Sequence, residues 1–110
     1  MHRVPPALAA IATPRVLELL GNGPGRVLEL GFGGIHAEPL RLAGFEVVVV
    51  EPDPAHRERA RERAGEALDE PPAEAFDVVV APADTALSGL AARSAILVGQ
   101  DGSAWRLALP

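Results

Sequence analysis

The chain has 110 residues, 48% of them apolar but only 4% aromatic, a net charge of -5 and no cysteine. That is enough for one domain around one core, and it excludes a disulfide framework or a thiolate metal site. The acidic balance argues against a surface that tracks phosphates, so nucleic acid is not the expected partner, and no apolar run approaches the roughly 20 residues that span a membrane.

The start, Met1-His2-Arg3-Val4 leading to Ala7-Leu8-Ala9-Ala10-Ile11-Ala12, is similar to the opening of a signal peptide. Its apolar stretch is short and Pro5-Pro6 interrupt it, so export is not expected and a cytoplasmic location is. One or two short helices follow, with Thr13 as a cap and Pro14 in the first turn, as far as Leu20. Gly21-Asn22-Gly23-Pro24-Gly25 ends them. Residues 1–24 thus form a helical N-terminal segment of a single domain spanning 1–110.

Arg26-Val27-Leu28-Glu29-Leu30 reads as a strand, and Gly31-Phe32-Gly33-Gly34 as a turn into a helix from about His36 to Ala43. Glycine suits such a turn because it reaches positive φ cheaply and leaves backbone bare for a ligand. The helix start would add unpaired N–H groups. Pro39 is tolerated only near that start, and Gly44 ends the helix. Phe45-Glu46-Val47-Val48-Val49-Val50-Glu51 is β-branched without alternation, which suits a parallel strand covered on both faces. Strand, helix and strand make one βαβ unit. Glu51 ends it about twenty residues past the turn, where an acid can accept the hydroxyls of a ribose.

Two ligand families use this geometry, phosphate-bearing nucleotides and the sulfonium nucleoside S-adenosylmethionine. Glu29, just ahead of the turn, would repel a pyrophosphate and attract a sulfonium or ammonium. His36 stands where a dinucleotide fingerprint has a small residue. The pattern Glu29-x-Gly31-x-Gly33 resembles the first motif of class I S-adenosylmethionine-dependent methyltransferases, with Ile35 in place of that motif's third glycine. The resemblance implies an α/β fold, a minimal Rossmann-like three-layer sandwich with a mostly parallel sheet and an antiparallel C-terminal edge strand. It also implies S-adenosylmethionine as cofactor, held by Glu29, Gly31, Phe32, Gly33, Gly34, Glu51, Pro52 and Ala81. On that view Gly33→Val blocks cofactor entry and Glu51→Ala weakens affinity.

Asp53 caps the next helix and Pro54 takes its first position; the helix runs to about Leu68, with Ala60, Ala64 and Ala67 on a small-residue face. Its arginines are interleaved with acids, at the spacing of pairs Glu58–Arg61, Arg59–Glu62 and Arg63–Glu66, and so form a solvated face. In the family a further strand comes next and ends in an acid that meets adenine. Here Pro71-Pro72 oppose a central strand, and Asp69 and Glu74 are the acids that could reach adenine. Phe76-Asp77-Val78-Val79-Val80-Ala81 is the following strand, similar to the family's fourth, with Asp77 as a structural partner. Asp84 is expected to cap a helix over residues 85–92. Ser94-Ala95-Ile96-Leu97-Val98 is a strand, and Asp101-Gly102 turns the chain into a last antiparallel strand, 104–109.

No catalytic residue is assigned. His36 is the histidine nearest the turn, with an ordinary pKa near neutrality, but a helix-start histidine is usually a surface or capping residue. His2 and His56 receive no role. Three functions stay open: a methyltransferase-like protein with an unknown acceptor, a non-catalytic interaction subunit working with a protein partner or a second copy, and an NAD or nucleotide binder.

Overall fold

Runs of five to seven mostly apolar residues are long enough for strands and too short for helices, and those without alternation need cover on both faces. In a computed structural model, which describes residues 6–109, they form β1 (Arg26–Leu30), β2 (Glu46–Val50), β3 (Phe76–Pro82) and β4 (Ala92–Val98), followed by β5 (Ala104–Ala108). The helices are α1 (Pro6–Leu20), α2 (Ala37–Leu42) and α3 (Pro54–Ala64). The sheet order is β2-β1-β3-β4-β5, with β5 antiparallel to β4 and every other neighbouring pair parallel. The fold is the small Rossmann-like α/β sandwich expected, with its antiparallel C-terminal edge.

Alternate strand residues divide the core in two. Val27, Val49, Val78, Val80 and Ile96 turn toward Ala12 and Val16 of α1, Ala37 and Leu40 of α2, and Ala60 and Ala64 of α3. Leu28, Val50, Val79 and Leu97 turn the other way, toward Leu68, Leu87 and Leu90. The three helices therefore share one face, and irregular chain makes the third layer. The helix expected over residues 85–92 is absent. Gly89 takes φ +83 there, and the backbone bonds are separate turns, Thr85 N–H to the Pro82 carbonyl at 3.0 Å and Leu90 N–H to that of Leu87 at 3.4 Å. Ser88-Gly89 costs too much propensity for so short a segment, while Leu87 and Leu90 still reach the sheet.

α1 is one helix with Pro14 inside it, so Thr13 is not its cap. α3 ends earlier than expected, at Gly65 with φ +85. Leu68 then makes a lone parallel bridge to Val50: its N–H donates to the Val49 carbonyl at 2.9 Å and its carbonyl accepts Glu51 N–H at 2.8 Å. This is what remains of the strand that Pro71-Pro72 oppose. Arg41 covers more of the β2 edge, donating to the carbonyls of Val47 at 3.0 Å and Ala64 at 2.7 Å. A side chain thus does part of the work of a missing strand. At the opposite, amino-terminal end of the sheet, Asp77 accepts Arg26 N–H at 2.7 Å, the structural role expected of it. Among the described residues no helix is long and apolar enough to cross a membrane. Residues 1–5, which open the signal-like stretch and include His2, lie outside the described residues, while its apolar part, 7–12, belongs to α1.

Candidate functional site

Gly31, Gly33 and Gly34 take φ of 80, 63 and 80, a region that glycine alone enters cheaply. Strand order reverses beside them: β1 leads to β2 on one side, and the chain returns to β3 on the other. Open α/β sheets bind ligands in the crevice at such a reversal, outside the carboxyl ends of the strands. A cleft of about 430 Å³ opens there. Its walls are Leu30 at the end of β1 with Gly31 after it, Glu51, Pro52 and Asp53 after β2, and Pro82 at the end of β3 with Thr85 and Ala86 beyond it. Small-molecule pockets span roughly 300–1,000 Å³, so the cleft has room for a nucleoside.

The expected site residues divide into two groups. Gly31, Glu51 and Pro52 line the cleft, whereas Glu29, Phe32, Gly33, Gly34 and Ala81 do not. Glu29 points to the helical face beneath the turn, fully buried, and its Oε2 accepts His36 N–H at 2.9 Å. Its carboxylate therefore braces the turn instead of standing in the cleft. Phe32 turns into the core and meets the His36 ring edge-on, centroids 4.8 Å apart. At Gly33 the carbonyl accepts Arg63 Nη1 at 3.1 Å, and an added β-carbon would meet that same nitrogen. Gly33→Val would thus displace Arg63 before it met a ligand. Gly34 admits α3, and Ala81 is buried within β3.

Burial sets the electrostatics. Desolvation pushes the Glu29 carboxyl up to about 7, against the weaker pull of the His36 and Gly34 N–H groups and the Arg41 and Arg63 charges. His36 is buried as well, and desolvation brings it down to about 4. Its Nδ1 lies 2.8 Å from Thr13 Oγ1 of α1. It is therefore neutral at pH 7 and built into the core, not a base at the cleft. Neither adenine candidate lines the cleft: Asp69 is exposed beyond the Leu68 bridge, and Glu74 pairs with Arg26 at the amino-terminal end of the sheet.

Glu51 is fully buried at the cleft wall, where its Oε2 accepts Asp53 N–H at 3.1 Å. Asp53 caps α3 as expected, accepting Ala55 N–H at 2.9 Å, and that bond with the nearby His56 holds its carboxyl below the usual range. Arg57 fixes the same corner from α3, donating to the carbonyls of Glu51 at 2.9 Å and Pro52 at 2.8 Å. Among the described residues the lining thus carries two carboxylates, apolar walls and no cation.

Sequence reasoning missed Thr85. Its Oγ1 is buried at the cleft without a hydrogen-bond partner among the described residues. Orphaned buried hydroxyls are rare enough to call for an explanation. No motif marks it, because in the sequence the residue stands only at the start of an expected helix. Among the described residues no group of three or more His, Asp or Glu could hold a metal ion. Compared with protein-family models, curated proteins and solved structures, the chain matches none.

Proposed function

We propose that the cleft binds S-adenosylmethionine and that the protein is a shortened class I methyltransferase-like domain. The observation that carries this reading is the meeting of Gly31, Glu51 and Thr85 around an apolar cleft with two carboxylates and no cationic lining. A pyrophosphate there would lose its hydration without gaining a positive partner, whereas a sulfonium and a ribose gain an acidic wall and hydrogen-bond acceptors. Glu51 is assigned to the ribose, Thr85 to a polar edge of the ligand, and Leu30, Pro52, Pro82 and Ala86 to its apolar surfaces.

S-adenosylmethionine, when bound, supplies an electrophilic methyl group that an acceptor lone pair takes up as the carbon–sulfur bond breaks and its electrons stay on sulfur. The chain's own residues orient and exclude water, which is where much of the rate of such a transfer arises. Arg57 holds the Glu51–Pro52 backbone in place, and Glu29 holds the turn.

A second reading, a non-catalytic interaction subunit, draws on one observation. Among the described residues only the Leu68 bridge stands where the family's third strand would form the adenine wall. Calorimetry of the full chain with S-adenosylmethionine, S-adenosylhomocysteine, NAD and ATP separates the readings. Binding of the two sulfur nucleosides alone supports the proposal; selective binding of NAD or ATP overturns it, and binding of none favours the interaction subunit.

A further inference from the structure

Glu29 is an unusual strut. It is a carboxylate with no measurable exposure, in the middle of a strand, and one of its oxygens carries the first N–H of the α2 start at 2.9 Å while Oε1 has no hydrogen-bond partner among the described residues. Two residues later the same strand becomes the Gly31 wall of the cleft. The backbone from Glu29 to His36 is therefore a loop closed at its ends by a charged acceptor; between them Gly31 N–H donates to the Val50 carbonyl at 3.1 Å and the Gly33 carbonyl accepts Arg63, and the loop includes the residue the ligand would touch. An ionised acceptor makes a hydrogen bond about twice as strong as a neutral one.

The geometry points to Glu29 as a proton-linked positioning residue for the cleft: ionised, it holds His36 N–H and keeps the Gly31 path in the shape that accepts ligand; protonated, it lets that path relax. This inference rests on the reading of the cleft as the S-adenosylmethionine site. The groups that face Glu29 leave it as the group that titrates between pH 6 and 8. His36, at the α2 start, is already neutral there. Arg41 of α2 and Arg63 of α3 are both spent on backbone carbonyls, of Val47 and Ala64 for the first and of Gly33 for the second. The desolvated carboxyl itself lies near 7, inside that window.

If ligand selects the ionised form, affinity follows the ionised fraction and falls about tenfold from pH 8 to pH 6, with about one proton released for each ligand bound at pH 6. The test is calorimetry of the full chain with S-adenosylmethionine at pH 6 and pH 8, in buffers of different ionisation enthalpy, for the wild type and Glu29→Gln. A companion NMR titration of the ligand-free wild type follows the Glu29 carboxyl carbon and the His36 amide. The inference expects both signals to move together with a midpoint near neutrality, the tenfold change in affinity, and its loss in Glu29→Gln. Equal wild-type affinity at pH 6 and 8, or a His36 amide that ignores the titration, overturns the role of Glu29 and leaves the cleft assignment standing. An absence of binding at pH 8 overturns the cleft assignment and the coupling with it. The NMR arm needs no variant, so a failure of Glu29→Gln to fold does not blunt the test.

Discussion

Gly34 stands directly against Ala64: a β-carbon on Gly34 would lie 3.2 Å from the Ala64 Cβ and 3.4 Å from the Ala60 carbonyl oxygen. The glycine turn therefore has two separate tasks. Gly34 lets α3 close on the turn, while Gly31 borders the cleft, its own added β-carbon meeting only Pro82 at an ordinary 3.4 Å.

Alanine substitutions separate these tasks. Both sites have positive φ, so each alanine costs about 1–2 kcal/mol in backbone strain. Gly34→Ala adds a tight contact with α3 and is expected to lower stability by about 2–3 kcal/mol with little direct effect on ligand affinity. Gly31→Ala is expected to cost less stability and to weaken S-adenosylmethionine binding. Denaturant unfolding and calorimetry on the two variants check this.

The division between the two glycines shows what the sequence could and could not carry. The β1–turn–α2–β2 unit and the Asp53 cap were legible because their signals are local: glycine spacing, an unbroken β-branched run, and Pro54 directly after an acid. The small face of Ala60 and Ala64 was visible too, but not that Gly34 would receive it, since that depends on how α3 crosses the turn. The Thr13–His36 bond joins residues 23 apart and no local pattern announces it. The segment 85–92 reads as a helix behind Asp84 as a cap, while contacts with the sheet and Gly89 decide its shape.

Glu29 and His36 make opposite demands on stability as pH changes. Glu29, raised from 4.5 to about 7, gives stability that is full below about 4.5 and lost as pH rises through 7. His36, lowered from 6.5 to about 4, gives stability that is present above 6.5 and lost as pH falls through 4. Each is worth roughly 3 kcal/mol across its window. Between about 4.5 and 6.5 the two slopes offset one another, so the wild type is expected to show a flat profile there. Glu29→Gln removes one slope, and its stability is expected to fall steadily from pH 6.5 to pH 4 in urea unfolding.

Thr13→Val removes the hydroxyl that joins α1 to the His36 ring and keeps the side-chain shape. It is expected to cost about 1 kcal/mol and to speed amide exchange in α1 more than in the sheet. Equal exchange in both regions would mean that the bond does not couple α1 to the turn.

Arg41→Met keeps much of the stem and removes both donors from the β2 edge. The Val47 and Ala64 carbonyls lose charged partners, an expected loss of about 1–3 kcal/mol, and the bared edge becomes available for pairing between molecules. Unfolding curves measure the first effect and light scattering the second.

The central claim is that ligand occupies the hollow at the carboxyl ends of β1, β2 and β3. Backbone NMR of the wild type during titration with S-adenosylmethionine at pH 8 tests it most directly. The account predicts saturable shifts concentrated at Gly31, Glu51, Asp53, Thr85 and Ala86, sharply reduced in Thr85→Val. Saturable shifts gathered elsewhere, or none at any ligand concentration, would contradict it.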